Sequence, residues 1–334
     1  MTARVLLIIS LLSTLLVSPL IGGSKVTLKW GSLAPEGTPF YDIIHQINNE
    51  WQEMTQGSVK MKIYAGGIAG AEPDMIRKMK IGQLHGASMS ITGLALIDRS
   101  VNALQMPCLI RSEEELSYYL TGLKPLIEER FEKQGYIPLC YTNLGKLYFF
   151  TTKKTTSIEE LKKMKLCTFS TEKNSKAVWL NAGFTVINVN SSEVLAALQT
   201  GMLDGFIHSP LYALSMQWFA KAKYMIEVNY GYGLAASVIT KKKWDKIDPQ
   251  LQPQLLAAAE ELNKKNLIEI NKLNEKAIPT MKQYGLEVYS PPKEEEYLWI
   301  ESLMNTYPQV KGNLIPDDVY EKMMALRKSA KTKK

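Results

Sequence analysis

Few side chains in this sequence are suited to catalysis. The three histidines, His45, His85 and His208, lie far apart in the chain and in unrelated settings. The sequence has no G-x-S-x-G elbow, no H-E-x-x-H motif and no Walker loop. The segment Gly231–Ala236 (GYGLAA) resembles a dinucleotide fingerprint, but it continues into Ser237–Thr240, which predicts a strand rather than the required helix. We therefore predict a protein that is not an enzyme and carries no cofactor.

The three cysteines also offer no reactive site. Cys108, Cys140 and Cys167 all lie in apolar sequence, and an odd number leaves at least one thiol unpaired in an exported protein. No Cys or His spacing matches a zinc site. We expect the cysteines to be small buried apolar residues and expect no bound metal.

Composition describes a soluble chain of more than one domain. The 334 residues are 46% hydrophobic and 22% charged, which is typical of globular proteins, and the length suits two domains. The net charge of +7 includes a lysine-rich tail at Lys328–Lys334, predicted to be disordered. Because no basic stripe carries interleaved aromatic residues, we predict no nucleic-acid partner.

The N-terminal residues have the pattern of a secretory signal peptide. A basic start, Met1–Arg4, precedes an apolar run at Val5–Val17 and then small residues up to Ser24. The run is shorter than the roughly 20 residues of a membrane-spanning helix. We expect residues 1–24 to be a signal peptide and the protein to be periplasmic, with an uncleaved membrane anchor as the alternative. No cysteine lies near the cleavage point, which argues against a lipoprotein.

Hydrophobic periodicity predicts alternating strands and helices in both halves of the chain. The first half reads as strands at Val26–Gly31, Ser58–Tyr64 and His85–Ile91, with helices at Thr38–Thr55 and Glu72–Ile81. The second half reads as helices at Ile158–Met164 and Glu172–Ala182, with strands at Lys165–Phe169, Thr185–Val189 and Gly205–His208. Two α/β units indicate two lobes around a cleft, and ligands of such sheets lie beyond the carboxyl ends of the strands.

Two further segments bear on the cleft. The stretch 191–205 (SSEVLAALQTGMLDG) predicts a helix that is capped by a serine oxygen and ends at Gly201. His208 follows it at a strand end, where a cleft role and a structural role at the core edge are both open. Residues 249–284 predict one long helix, which Pro279 would kink or end.

Several segments together resemble the periplasmic solute-binding subunits of TRAP transporters, the dicarboxylate-type binding proteins. The matching segments, in chain order, are VTLKWGSLAP, GGIAGAEPDMIRKMKIGQL, ALQMPCLIRSEEEL, SIEELKKMKLCTF, EVLAALQTGMLDG and KKWDKIDPQLQPQLLAAAEE. The resemblance implies a two-lobed α/β periplasmic binding protein fold with a ligand cleft between the domains and a long C-terminal helix along both lobes. It also implies closure on a ligand and delivery to membrane permease subunits, without covalent chemistry.

The resemblance also implies domain bounds. Residues 25–147 with 235–280 would form the first domain, and residues 148–234 with 281–327 the second. Residues 328–334 would form the disordered tail.

The sequence departs from the family where the family binds its usual ligands. The strand arginine that clamps a substrate carboxylate falls on Cys167, and a second, supporting arginine falls near Leu147. A polar residue after the first strand falls on Leu33, and the usual asparagine of the D-G-x-x-N turn becomes His208. Cys167 could instead be a core residue if the alignment shifts by one position.

Other positions complete the predicted site. Glu72 and Ser170 keep the polar character of the family, although Glu72 could simply be a helix N-terminal charge. Tyr212 and Trp218 follow the D-G turn and could pack the core or line a pocket. The predicted ligand-binding residues are Leu33, Glu72, Leu147, Cys167, Phe169, Ser170, Ser191, His208 and Tyr212.

These departures predict a different ligand class. A carboxylate enclosed in a dry cleft is destabilised by several kcal/mol unless charged donors pair with it, and a thiol is at best a weak donor. We therefore expect an apolar or lipid-like solute. Two other functions are open: a secreted enzyme on the same scaffold, with Glu72 and His208 as its titratable groups, or a ligand-free protein that binds another periplasmic protein.

Overall fold

The computed structural model describes residues 25–169 and 173–332. The predicted signal peptide and Ser170 lie outside the described residues. The strands are β1 (Val26–Ser32), β2 (Val59–Tyr64), β3 (Gly86–Ser90), β4 (Tyr136–Thr151), β5 (Lys165–Thr168), β6 (Thr185–Asn188), β7 (Gly205–His208), β8 (Tyr224–Thr240) and β9 (Glu287–Tyr289).

The helices cover most of the rest of the described chain. They are α1 (Pro39–Met54), α2 (Glu72–Lys80), α3 (Ile91–Leu94), α4 (Glu113–Lys133), α5 (Ile158–Lys162), α6 (Lys173–Asn181), α7 (Val194–Gln199), α8 (Pro210–Ser215), α9 (Lys241–Trp244), α10 (Gln252–Gln283), α11 (Lys293–Met304), α12 (Tyr307–Val310) and α13 (Asp317–Thr332). Short 3₁₀ helices occupy Arg99–Gln105, Ser191–Glu193 and Trp218–Ala220.

The described strands form one sheet in the order β2-β1-β3-β8-β4-β7-β5-β6, with β9 beside β8. Strands β1, β2 and β3 are parallel to one another, and so are β5, β6 and β7. Strands β4 and β8 run antiparallel along their whole lengths, from the pair Tyr136 and Thr240 to the pair Thr151 and Tyr224. They therefore join a first lobe, built on β1–β3, to a second lobe, built on β5–β7. The predicted α/β class is confirmed.

The two crossing strands are irregular where they pass between the lobes. The β4–β8 register shifts between Asn143 and Gly145 and again between Leu147 and Phe149. Gly145 has φ +101° and Gly231 has φ +149°, values that favour glycine. Each glycine N–H donates to an asparagine Oδ1 two residues earlier, at 2.9 Å. These turns interrupt the regular pairing between the lobes.

Helix α10 lies along both lobes, as predicted. Its 32 residues span about 48 Å. The Trp51 indole N–H of the first lobe donates to Leu255 O at 3.0 Å, and Asn263 donates to Tyr141 O on β4 at 2.7 Å. Further along, Asn274 accepts from Leu211 N in the second lobe at 3.1 Å. The long helix thus ties both lobes to the crossing strands.

Three local predictions are corrected by the structure. Of the two outcomes predicted for Pro279, a kink or an end of the helix, the end is wrong, because α10 continues to Gln283 with Ala277 and Met281 buried in the core. No serine oxygen caps the 191–199 helix, since the Ser191 hydroxyl is instead 3.1 Å from the Tyr212 hydroxyl. Helix α13 continues to Thr332, so residues 328–332 of the predicted disordered tail are helical.

The last helix also bears on the predicted domain bounds. Helix α13 packs on α4 of the first lobe, where Arg130 is 3.1 Å from Asp318 and the Tyr118 hydroxyl donates to Leu326 O at 3.3 Å. Residues 317–327 therefore contact the first lobe, although they were predicted with the second domain. None of the described helices combines the length and the apolar character that crossing a bilayer requires.

Two glycines of the 191–205 segment test the packing of β7. A Cβ on Gly205 would lie 2.5 Å from Phe150 O, whereas a Cβ on Gly201, at φ +72°, would meet nothing within 4 Å. Because a backbone atom cannot move aside, we expect Gly205→Ala to lower the free energy of unfolding by about 2–3 kcal/mol. Gly201→Ala, the control, should lower it by only about 1 kcal/mol from left-handed strain. Urea unfolding measures both, and equal losses would contradict this account of β7.

Candidate ligand-binding cleft

A cleft with two adjoining chambers lies between the lobes. The first chamber, of about 140 Å³, lies beyond the carboxyl ends of β1 and β3 on one side and β6 and β7 on the other. The second chamber, of about 210 Å³, lies between the crossing strands, α6 and α11–α12. Ser90, Leu144, Phe169 and His208 border both chambers. The two chambers are therefore one continuous cleft at the position expected for an α/β sheet.

The structure brings together eight of the nine predicted ligand-binding residues. Leu33, Glu72, Ser191 and Tyr212 line the first chamber, Leu147 and Cys167 line the second, and Phe169 and His208 border both. Ser170 lies outside the described residues. Trp218 is only 1% exposed and lines neither chamber, but it packs behind Phe169, His208 and Tyr212, which do.

Several lining residues were not predicted from sequence. Ser90 ends β3, Leu144 lies at a bulge of β4, and Tyr230 lies on β8. Ser90 could have been predicted from the sequence, because Ser88 and Ser90 alternate around a buried methionine and so place small polar groups on one face of β3. Leu144 and Tyr230 had no such signal, since each sits where an asparagine–glycine turn breaks the strand.

Glu72 places a carboxyl group in the wall of the first chamber. It begins α2, and its oxygens accept hydrogen bonds from Ser90 N at 2.6 Å and Ser90 Oγ at 2.8 Å. Burial raises the pKa of Glu72 to about 7, because the loss of hydration outweighs the bonds from Ser90 and Gly93. A Cβ on Gly93 would lie 2.6 Å from Glu72 Cδ, so the glycine leaves room for the acid. Glu72 is thus both a helix N-terminal residue and a cleft residue.

His208 presents a neutral ring to both chambers. Burial lowers the pKa of His208 to about 3, so the imidazole is uncharged near neutral pH. The Ser209 backbone N–H donates to Nδ1 at 2.9 Å, which leaves the ring proton on Nε2. Among the described residues, none accepts a hydrogen bond from Nε2.

Aromatic rings support His208 and form a wall of the cleft. The His208 ring stacks on Tyr212 at 3.8 Å between centroids, and Trp218 contacts the edges of both rings at 5.9 and 5.4 Å. The Phe169 ring stacks on Trp218 at 6.0 Å. From the first lobe, Phe40 reaches Tyr212 at 5.6 Å across the cleft. We call the lining rings of His208, Tyr212 and Phe169, together with Trp218 packed behind them, the aromatic wall.

Positive charge is missing from the described lining. No lysine or arginine whose side chain is described lines either chamber. Cys167 is 6% exposed, and burial raises the pKa of its thiol to about 12, so it stays uncharged. Lys165, two residues earlier on β5, bonds through Nζ to Gly201 O outside the cleft. The described cleft therefore holds hydrogen-bonding groups and apolar surface without a cation.

The arrangement suits binding better than nucleophilic chemistry. The Ser191 hydroxyl is paired with Tyr212, and Nδ1 of His208 is occupied by a backbone N–H, so no acid orients this ring as a general base. All three cysteines are buried and unpaired. The described residues contain no cluster of three side chains that could hold a metal ion.

Two lobes joined by crossing strands around a cleft define the class of two-lobed solute-binding proteins. A family model described as bacterial extracellular solute-binding protein, family 7 (DctP), matches residues 30–313. The chain belongs to this family.

Relatives and solved structures agree with the fold. The chain is 24% identical to the 2,3-diketo-L-gulonate-binding periplasmic protein YiaO of Escherichia coli, over 73% of this chain and 74% of that protein. A TRAP periplasmic solute-binding protein of Pseudomonas putida with bound D-glucuronate is similar with TM-score 0.81 and 21% identity, covering 90% of this chain and 97% of that one. Another, from Sulfurospirillum deleyianum with bound succinate, has TM-score 0.82 and 20% identity, covering 91% and 99%.

The carboxyl group of Glu72 predicts a pH-dependent stability. Its pKa is higher in the folded state, about 7, than its ordinary value of 4.5, so the folded state binds the proton more tightly. The resulting stabilisation is complete below about pH 4.5 and is lost as the pH rises through about 7. As the pH rises from 5 to 8, the wild type should lose about 1–3 kcal/mol of its free energy of unfolding relative to Glu72→Gln, which cannot ionise at this position. Urea unfolding at each pH measures the difference.

Asp74 on the same helix provides the control. It is exposed, and the hydrogen bond from Arg77 holds the pKa of Asp74 below its usual range, so Asp74→Asn should show no such change above pH 5. A constant difference between the wild type and Glu72→Gln from pH 5 to 8 would contradict the assignment of a protonated Glu72.

Proposed function

We propose that this chain is the extracytoplasmic solute-binding subunit of a TRAP-type transporter. In this proposal the lobes close on a solute that is uncharged and largely apolar, and the protein then delivers it to membrane permease subunits. The protein works in the periplasm after export by residues 1–24, and it performs no covalent chemistry. Family membership supports the transport role, and the cleft supports the ligand class.

The proposed ligand class rests on one observation: no lysine or arginine is present in the described lining of the cleft. A carboxylate enclosed between the lobes would lose its hydration, and no lysine or arginine of the described lining would replace it. Glu72 adds to the effect, because its own carboxyl group lies in the wall and would repel an anion when ionised. The solved relatives named above were found with D-glucuronate and succinate. In this proposal the arginine that the resemblance implies falls on Cys167, and the supporting arginine falls near Leu147.

The second chamber supports an apolar solute directly. Its wall includes Leu147, Cys167, Val178, Trp179 and Ile207, and uncharged side chains supply the rest of the described lining. Burying apolar solute surface here contributes about 25 cal/mol for each Å² removed from water. The chamber volume of about 210 Å³ exceeds the engineered cavity of about 150 Å³ that binds benzene.

Closure in this proposal is a rotation about the crossing strands. We place the lobe boundary at the asparagine–glycine turns of Gly145 and Gly231, where the β4–β8 pairing is irregular. A solute that contacts both lobes stabilises the closed form by the difference between its binding free energies for the closed and open forms. Phe40 and Tyr212 already meet across the cleft.

Binding of defined probes tests the ligand class. We expect the uncharged fluorophore N-phenyl-1-naphthylamine to bind with a dissociation constant on the order of micromolar, about −8 kcal/mol. Uncharged long-chain alcohols should displace it, and succinate and D-glucuronate should not. Fluorescence titration and calorimetry on protein lacking residues 1–24 measure these affinities. Micromolar binding of succinate or D-glucuronate would overturn the proposed ligand class.

A substitution in the second chamber tests where the apolar solute lies. Cys167→Arg places a long charged side chain in this chamber, so we expect the affinity for N-phenyl-1-naphthylamine to fall at least about tenfold, or 1.4 kcal/mol. Cys140, buried in the core away from both chambers, gives the matched control. Cys140→Ala should reduce stability and leave the affinity unchanged. If Cys167→Arg binds the probe like the wild type, the second chamber is not the solute site.

A further inference from the structure

Helix α8 starts beside the aromatic wall without a cap from its own sequence. Ser209 is its N-cap residue, but the Ser209 hydroxyl makes no capping bond and is buried with no hydrogen-bond partner among the described residues. The Ser209 N–H is already directed to His208, and Pro210 has no N–H. Leu211 therefore carries the first helical N–H that needs an acceptor from elsewhere.

Asn274 on α10 supplies that acceptor. Its Oδ1 accepts from Leu211 N at 3.1 Å, and its Nδ2 donates to Leu144 O on β4 at 3.1 Å. The same Nδ2 also donates to Ile270 O, one turn earlier on α10, at 3.1 Å. The oxygen and both donors of the amide are thus engaged, a combination that neither a carboxylate nor an aliphatic side chain can reproduce.

The two groups that Asn274 joins lie on different elements next to the cleft, Leu144 on β4 and Leu211 on α8. Leu144 borders both chambers, and Leu211 precedes Tyr212, the residue on which His208 stacks. Gly145 permits the approach, because a Cβ there would lie 2.5 Å from Asn274 Nδ2. A single side chain on the long helix therefore links a crossing strand to the start of α8.

We propose that Asn274 is a positioning residue for solute capture. Its side chain, on α10, caps the N-terminus of α8 and fixes the position of the aromatic wall relative to Leu144 on β4. This inference rests on the proposed function, since the wall is assigned to the solute. With its cap on α10, α8 is positioned by the long helix and β4 as well as by the second lobe. The orientation of Tyr212, and through it the stacked His208 ring, then depends on a residue that touches neither chamber.

Three variants separate this role from general stabilisation. Asn274→Ala removes all three side-chain hydrogen bonds, including those to Leu211 and Leu144, whereas Asn274→Asp keeps an oxygen acceptor for Leu211 and loses the donor to Leu144. Asn271, on the same helix, lines the cavity beneath α10 together with Asn274 and has no hydrogen bond to any described residue, so Asn271→Ala is the matched control. The readouts are amide exchange at Leu211, the ring-current shift of the His208 ring protons by nuclear magnetic resonance, and the affinity for N-phenyl-1-naphthylamine.

We expect Asn274→Ala to speed exchange at Leu211 about fivefold, the effect of losing a helix cap. The ring-current shift of His208 should shrink and the probe affinity should fall about fivefold. Asn274→Asp should restore slow exchange at Leu211, and Asn271→Ala should match the wild type in all three readouts. Unchanged exchange and shift in Asn274→Ala, or an equal rise in exchange throughout α7 and α10, would overturn the positioning role. If the wild type binds no probe, the proposed ligand class fails, while the exchange and the His208 shift still decide the role of Asn274.

Discussion

A charged group enclosed between the lobes loses its hydration, and the described cleft supplies no cation to replace it. This constraint sets the state of every titratable group there. The His208 ring remains neutral because burial disfavours its protonated form, and Glu72 holds its proton up to about pH 7 even though it accepts bonds from Ser90. Cys167 stays a thiol for the same reason. The proposed uncharged solute is consistent with a cleft whose own titratable groups are held uncharged by burial.

The architecture determines which residues meet this constraint. Parallel strands in both lobes direct their carboxyl ends toward the interlobe space, so the residues after β1, β3, β6 and β7 converge there. The antiparallel pair β4–β8 carries the sheet from one lobe to the other and exposes Leu144 and Tyr230 at its irregular middle. The cleft is therefore the place where the regular hydrogen bonding of the sheet is interrupted.

Local sequence patterns predicted the elements in which apolar residues keep one regular spacing, either strand alternation or helical periodicity, from end to end. The alternation at residues 58–64 and the helical spacing at residues 38–55 gave β2 and α1 within one or two residues of their observed bounds. The crossing strand β4 was missed, and only the end of β8 was predicted, because bulges and glycine turns break their alternation. The resemblance placed eight site residues in the cleft, but it gave no sign of Ser90 or Asn274. Their roles depend on partners 18 and 63 residues away, respectively, and no local window contains such pairs.

Both chambers combine apolar surface with hydrogen-bonding groups, and Glu72 is the acidic group among their described lining residues. Glu72, Ser90 and the hydroxyl pair of Ser191 and Tyr212 gather hydrogen-bonding groups in the first chamber. The second chamber adds Asn102, Gln105 and Thr168 among aliphatic and aromatic side chains, and His208 borders both chambers. A polar end of an uncharged solute would meet hydrogen-bonding groups in either chamber, so Glu72, rather than overall polarity, distinguishes the first chamber. The protonated form of Glu72 could then donate to an uncharged acceptor on the solute, which joins the pKa of the acid to the class of ligand in the proposed function.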